Sequence, residues 1–339
     1  MGSMVNEDIK KGLSETGENL YHWLEETPEE KQEIQLGQVN EAAVEEHLHV
    51  INDCLEKIEE GTFGICEICH EPVDDELLKM DYTSTVCLGH YTEEQLRQLE
   101  NELELSQVVQ RALLPQQPPT IPGISIAGFS RPAQIVSGDY FDFVQFKDGT
   151  HGVVMADVSG HGVSAGMLMT SLQTAFHTLV PESNSPLDVL KRLNHLYIHN
   201  IKFTTFVTIF FAKFDPDTRI FTYANAGHNS GYLYRASTRE GIWLQPTGPA
   251  IGLMEGFDIG TEQLELKDKD ILLLYTDGIT EATNAKGEPF GAGRLAKLVQ
   301  ENTDRTAQEL ANSILLSVSD FADGKSFVDD ITITTFKVG

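Results

Sequence analysis

His151-Gly152-Val153-Val154-Met155-Ala156-Asp157-Val158-Ser159-Gly160-His161-Gly162 is a short apolar, β-branched run that ends in an aspartate and opens onto a glycine-rich turn. Residues 151–156 read as a buried strand. The pattern over 161–179 then changes to helical spacing, with Leu168, Leu172, Ala175, Phe176 and Leu179 on one face. Three more acidic clusters lie beside apolar runs in the same way. They are Gly138-Asp139, Thr276-Asp277-Gly278 after the strand-like stretch 270–275, and Asp329-Asp330 opening the β-branched stretch 331–336. One aspartate at a strand end is ordinarily a turn former, because its side chain bonds the local backbone. Four clusters brought to the ends of different strands make an oxygen-lined pocket of the kind Mg²⁺ and Mn²⁺ require.

Other strands are predicted over 205–214 and 219–225, joined by Asp215-Pro216-Asp217-Thr218, and over 231–235. Further helices are predicted over 186–200, 294–300 and 306–321, the last with Thr306 and Glu309 as a capping box. Sheets with helices outside them fit a layered α+β domain.

In chain order, Arg131-Pro132-Ala133, Ser137-Gly138-Asp139-Tyr140-Phe141-Asp142, the 157–162 motif, Asn225-Ala226-Gly227-His228-Asn229, Tyr275-Thr276-Asp277-Gly278 and Asp329-Asp330-Ile331-Thr332 can be matched to one family. The stretch 120–338 resembles the bacterial PPM-class serine/threonine phosphatases, and within them the SpoIIE-like branch of sigma regulation. The resemblance implies an α-β-β-α sandwich and a metal-dependent protein serine/threonine phosphatase. It also implies two Mn²⁺ or Mg²⁺ ions held by Asp139, Asp157, the backbone carbonyl of Val158, Asp277 and Asp329. Asp139, Asp157 and Asp277 would then hold the metal-activated water, which attacks the phosphoryl group directly. The substrate implied is a phosphoprotein of the anti-sigma antagonist type.

Two aspartates lie close enough to be confused with that set. Asp142 is read as orienting the Asp139 motif by hydrogen bonding, and Asp330 as pointing to the opposite strand face from Asp329, since successive side chains alternate. Only one of Asp329 and Asp330 should reach the metals. His161 and His228 are candidates for protonating the leaving oxygen, with a turn-stabilising role beside glycine as the competing reading.

Thr27-Pro28-Glu29-Glu30 reads as a capping box, and Val44, Leu48, Ile51, Leu55 and Ile58 follow as a coiled-coil-like stripe, equally compatible with a helix that packs once onto a domain. Cys66-x-x-Cys69 and Cys87-x-x-His90 then supply three thiolates and an imidazole, enough to close a structural Zn²⁺ site in a segment with little apolar bulk. The segment resembles the DksA/TraR-type zinc finger but has His90 where a fourth cysteine is usual, and His70 competes with it. Cys54 is left as a packing residue. Thr92-Glu93-Glu94-Gln95 caps another helix, whose seam Leu96, Leu99, Leu103 is interrupted at Ser106 and Gln110; Leu113-Leu114-Pro115 stops it.

At 339 residues the chain accommodates about two or three domains. The predicted division is a helical region over 1–60, a zinc-finger-like segment over 61–91, a coiled-coil linker over 92–119 and the phosphatase domain over 120–339. The net charge of −28 disfavours nucleic acid or an anionic membrane as partner. No stretch approaches the ~18 apolar residues of a membrane helix, so a soluble, cytoplasmic protein is expected, with homodimerisation through the N-terminal and linker helices. Regulation of the metal site by residues 1–115 is expected too. The alternative is a zinc-finger transcription regulator acting on RNA polymerase, with the phosphatase domain as effector or inactive binding module.

Overall fold

The structure, a computed structural model, describes residues 9–10, 13–14, 41–80, 82–160, 162–200, 206–254, 258–323, 327 and 329–339. It divides into two compact units, Met1–Glu102 and Leu103–Gly339.

In the first unit, helix α1 (Glu41–Glu60) is followed by α2 (Asp75–Met80) and a single 3₁₀ turn at Leu88–His90. Ile51 and Cys54 of α1 are buried against Phe63, Val73, Leu77 and Leu78, and Leu55 and Ile58 pack on the edge of that cluster. The stripe read as coiled-coil-like is therefore spent inside its own unit, on the small core around the cysteine segment, and Cys54 is a packing residue there. The Thr27-Pro28 capping box and the side chain of Val44 lie outside the described residues.

Helix α3 (Glu93–Leu113) opens with the expected box: Thr92 N donates to Gln95 Oε1 at 2.9 Å and Gln95 N donates to Thr92 Oγ1 at 3.2 Å. Its last three turns, from Leu103 onward, fall in the second unit rather than in a separate linker.

The second unit holds ten described strands in two antiparallel sheets. One has the order β1 (Ile124–Arg131), β10 (Ile331–Val338), β9 (Ile271–Tyr275), β6 (Gly231–Arg235), β7 (Glu240–Leu244). The other has the order β2 (Asp139–Gln145), β3 (His151–Val158), β4 (Val207–Asp215), β5 (Ile220–Ala226), β8 (Glu262–Glu265). Phe141, Met155, Phe210 and Tyr223 of the second sheet meet Leu233, Leu272, Leu274 and Phe336 of the first in a shared core. Each such side chain, once fully buried, contributes about 1.5–3 kcal/mol.

Helices cover the outer faces. Helix α4 (Gly162–Leu179) lays Met169, Leu172 and Phe176, and α5 (Pro186–Asn200) lays Val189, Leu190 and Leu193, on Val154, Ala156 and Ile209. On the other sheet, α7 (Gly291–Glu301) and α8 (Ala307–Phe321) bring Leu295, Val299, Leu310 and Ile314 onto Ile271, Leu273 and Ile333. A one-turn helix, α6 (Asp277–Thr280), follows β9 directly. Thr306 and Glu309 close both bonds of their capping box at the start of α8.

Because the central strands are covered on both faces, they read as continuous apolar runs; all five residues of β9 are buried. β7 and β8 are edge strands with mostly exposed residues, and charged, short edges of this kind resist pairing with other chains. Among the described residues no helix is long and apolar enough to cross a membrane.

Candidate metal centre

Antiparallel pairing places Asp139, the first residue of β2, directly opposite Asp157, the penultimate residue of β3. In the other sheet Tyr275, at the end of β9, pairs with Ile333 near the start of β10, so Asp277 and Asp329 emerge at one end of that pair. The turn at Gly278 is pressed so close to the chain before β10 that an added Cβ would stand 2.0 Å from the carbonyl oxygen of Asp330. Glycine is required there by contact alone.

The two sheets are joined at this end through Asp139. Thr276 Oγ1 and Thr332 Oγ1 both donate to Asp139 Oδ2, at 2.7 and 2.6 Å, and all three residues are buried. Thr332 N donates to Thr276 Oγ1 at 3.0 Å, so the Thr276 hydroxyl is held in the orientation that serves the carboxylate. Neither threonine stood out in the sequence, although both lie inside the motifs that were read. Gly138 completes the local fit: a Cβ there would stand 3.1 Å from the Val158 carbonyl oxygen, so the missing side chain keeps that oxygen clear.

Asp330 has a different duty from the one its spacing suggested. Both 329 and 330 precede β10, so strand alternation does not govern them. Asp330 Oδ1 accepts Ala133 N at 2.7 Å, and its Oδ2 accepts Ser137 Oγ and Gly138 N, each at 2.8 Å. Its carboxylate is thus consumed in pinning the 133–138 loop, whereas among the described residues Asp329 accepts only from the amide of Asp330, at 2.8 Å, and is exposed. Asp142 bonds within the Asp139 motif, accepting from Tyr140 OH at 2.8 Å, and it also pairs with His177 Nε2 at 2.7 Å, fastening β2 to α4.

His228 is buried, with Nε2 3.2 Å from the Tyr275 carbonyl and Nδ1 2.8 Å from Thr208 Oγ1. A carbonyl can only accept, so Nε2 carries the proton and Nδ1 accepts from the threonine. Burial pushes the imidazole down to about 4. His228 is therefore a neutral tie between the sheets and has no proton to give at neutral pH. His161 lies outside the described residues.

The carboxylates oppose one another. Burial, then the charges of Asp277, Asp329 and Asp330, push Asp157 up to about 7. Burial and Asp157 hold Asp139 well above the usual carboxylate range against the pull of the two threonines, and burial, then Asp329 and Glu281, raise Asp277. Concentrated, mutually repelling oxygen donors with a bare carbonyl beside them fit a divalent-cation site.

A stability profile follows. A raised folded pKa means the folded state binds more protons, so stability supplied in acid is lost as pH rises from about 4 toward the Asp157 value of about 7. In chelator, Tm should fall across that window, Asp157→Asn should flatten the fall by on the order of 4 kcal/mol, and Mn²⁺ should restore Tm most at the alkaline end. A chelated wild-type chain whose Tm climbs with pH contradicts this electrostatic picture.

In the first unit the ligand atoms of Cys66, Cys69, Cys87 and His90 lie within 4.8 Å of one another. Cys69 Sγ is 3.8 Å from Cys87 Sγ, and Cys66 Sγ is 3.7 Å from His90 Nδ1. A tetrahedron of ligands about 2.3 Å from zinc has edges of about 3.8 Å, whereas a disulfide brings sulfurs to about 2.0 Å. The Cys69 amide, with further help from the Cys87 and Ile68 amides, holds the Cys66 thiol down to about 6, favouring the thiolate that metals bind. His70 is not part of the group.

Residues 147–339 match the family model for Stage II sporulation protein E (SpoIIE). The chain belongs to the SpoIIE family. As a SpoIIE-family chain it is a metal-dependent protein serine/threonine phosphatase. Among SpoIIE-family relatives it is 30% identical over 275 residues to the phosphoserine phosphatase RsbU of Bacillus subtilis, covering 78% of this chain and 80% of RsbU. To RsbP of the same organism it is 26% identical over 233 residues, covering 68% of this chain and 56% of RsbP. The fold is similar to the SiaA-PP2C domain of Pseudomonas aeruginosa, with a TM-score of 0.64 at 22% identity over 72% of this chain and 98% of that one.

Proposed function

We propose that Asp139, Asp157, the Val158 carbonyl, Asp277 and Asp329 hold two Mn²⁺ or Mg²⁺ ions, and that this site hydrolyses phosphoserine or phosphothreonine on a small signalling protein of the anti-sigma antagonist type. The observation that carries the metal set is the division of labour at 329–330: Asp330 is used up by the 133–138 loop, while Asp329 is left beside Asp277 and Asp157. When bound, such a metal pair neutralises phosphoryl oxygens and supplies a hydroxide near neutral pH. The chain's own residues do the rest. Thr276 and Thr332 aim Asp139, Asp330 holds the loop beneath it, and His228 locks the two sheets without exchanging a proton. All four cysteines precede residue 103, so none lies in this unit to serve as nucleophile.

Substrate enters through a cleft of about 300 Å³ beside Asp277, lined by Asn229, Ser230, Trp243, Gln245, Tyr275 and Glu281. Its hydrogen-bonding groups and two aromatic rings suit the peptide flanking a phosphoserine, while the phosphate itself goes to the metals. The anti-sigma antagonist class rests on the kinship with RsbU and RsbP. In the first unit, Cys66, Cys69, Cys87 and His90 hold one structural Zn²⁺, four protein ligands leaving no open position. Two chains pair along α3, where Leu105, Val108 and Val109 are 64%, 62% and 53% exposed.

The test is turnover of a phosphoserine protein and of a small aryl phosphate with Mn²⁺. Trp243→Ala should raise KM for the phosphoprotein about tenfold and leave the aryl phosphate within about twofold, since the lost contact is made only by the larger substrate. Equal losses on both substrates would remove the cleft from the reading, and no Mn²⁺-dependent turnover by wild type would remove the activity.

A further inference from the structure

Gln110 is the one buried polar residue of α3 among those described, only 7% exposed on a helix whose neighbouring turns are open to solvent. Its side-chain amide makes a closed pair with a single backbone residue. Gln110 Nε2 donates to the Ser137 carbonyl at 2.8 Å, and Ser137 N donates to Gln110 Oε1, also at 2.8 Å. One turn earlier, Gln107 Nε2 donates to the Ile135 carbonyl at 2.9 Å. Ser137 is 2% exposed, so its backbone groups have no solvent to fall back on.

From Ser137 the bonds run straight into the metal site. Ser137 Oγ donates to Asp330 Oδ2 at 2.8 Å and accepts the Asp139 amide at 3.1 Å. The next residue, Gly138, donates to Asp330 Oδ2 and accepts Val158 N at 3.3 Å. Three consecutive residues therefore connect Gln110 to Asp139, Asp330 and Val158. Helix α4 closes the same spot, since a Cβ on Gly166 would stand 3.1 Å from both Gln110 Nε2 and Val136 Cγ2. On α3 itself Leu105, Val108 and Val109 are exposed, and Leu114, one residue beyond the helix, packs on the core.

We propose that Gln110 is a positioning residue for the metal centre, holding Ser137-Gly138-Asp139 through its paired amide so that the last turns of α3 set how tightly the site binds its cations. This rests on the reading of Asp139, Asp157, Asp277 and Asp329 as metal ligands. Anything that shifts or turns the end of α3 acts first on this clamp, and through it on the carboxylate of Asp139 and the carbonyl of Val158.

The test is Gln110→Met in the full chain, which keeps the side chain's length and removes both bonds. Mn²⁺ affinity is read by calorimetry, beside Tm and the Mn²⁺ dependence of phosphopeptide turnover. The expected result is Mn²⁺ binding weaker by about tenfold or more, a parallel rise in the Mn²⁺ needed for half-maximal turnover, and recovery of most of kcat at saturating Mn²⁺. KM for the phosphopeptide should stay within about twofold. Unchanged Mn²⁺ affinity overturns the proposal, even with a lowered Tm, because the clamp would then be merely structural. Absence of Mn²⁺ binding by wild type overturns instead the metal reading beneath it. If the Met variant does not fold, Gln110→Glu, which retains the acceptor for Ser137 N, is read in the same way. Independently of any variant, the Ser137 amide should exchange slowly with solvent in metal-free wild type; unprotected exchange means the clamp is not formed and sinks the proposal.

Discussion

Asp277→Asn is expected to lower kcat on a phosphoserine substrate by on the order of a thousandfold or more, equivalent to about 4 kcal/mol of lost transition-state stabilisation. The substitution is nearly isosteric and sits at the first residue of a one-turn helix, so the backbone at Gly278 and the contact with the 329–330 chain are kept. What changes is charge. Asp277 is the strongest charged neighbour raising Asp157, and Asp329 the strongest raising Asp277. Removing one negative charge relieves that repulsion, so Tm in chelator should hold or rise while activity disappears. Loss of activity together with a large fall in chelated Tm would indicate structural damage and leave the ligand role unsupported. Asp330→Asn is the informative contrast. It removes an oxygen that accepts two donors, leaving Ser137 and Gly138 underserved, and should cost stability by about 1–3 kcal/mol before any question of metal arises.

Cys66→Ser is expected to unfold the first unit while leaving the phosphatase fold intact. Cys66 is fully buried in one cluster with Ile51, Phe63, Val73, Leu77 and Leu78. Zinc binding at sites of this composition is worth about 10–16 kcal/mol, and that free energy is also folding free energy. Native mass spectrometry of wild type should show one zinc per chain. Cys66→Ser should abolish the first of two thermal transitions, with the second unchanged. A zinc-free wild type, or a variant with both transitions intact, contradicts the structural-zinc reading. All four cysteines are free thiols, and Cys69 Sγ and Cys87 Sγ, 3.8 Å apart, are too distant for a disulfide.

Much of this site could be read from the chain because its parts announce themselves locally. An aspartate at the end of an apolar run, followed by glycine, has few other reasons to recur, and the central strands β3 and β9 are apolar for most of their length. Capping boxes at Thr92 and Thr306 are local and were legible for the same reason. The edge strands were not. β7 (Glu-Gly-Ile-Trp-Leu) and β8 (Glu-Gln-Leu-Glu) present polar residues to solvent and carry no apolar period, while Gly128 interrupts β1 and Asp139 and Asp142 interrupt β2.

Long-range polar contacts were invisible to periodicity. Gln110 looked like a break in a heptad seam, and its burial is explained only by a backbone 27 residues away in sequence. The same holds for Asp330, whose partners lie at 133–138, and for Thr276 and Thr332, which meet Asp139 across the sandwich. The stripe Ile51, Leu55, Ile58 was ambiguous between a coiled coil and a packed helix because both use the same spacing; the core beside it decides in favour of packing.

Anomalous diffraction from crystals soaked in Mn²⁺ tests the convergence of these aspartates most directly. The expected map has two manganese peaks in coordinating range of Asp139, Asp157, Asp277, Asp329 and the Val158 carbonyl, with Asp330 still bonded to the 133–138 loop. A map with no peak at this end of the sandwich, or with manganese on Asp330 and none on Asp329, contradicts it.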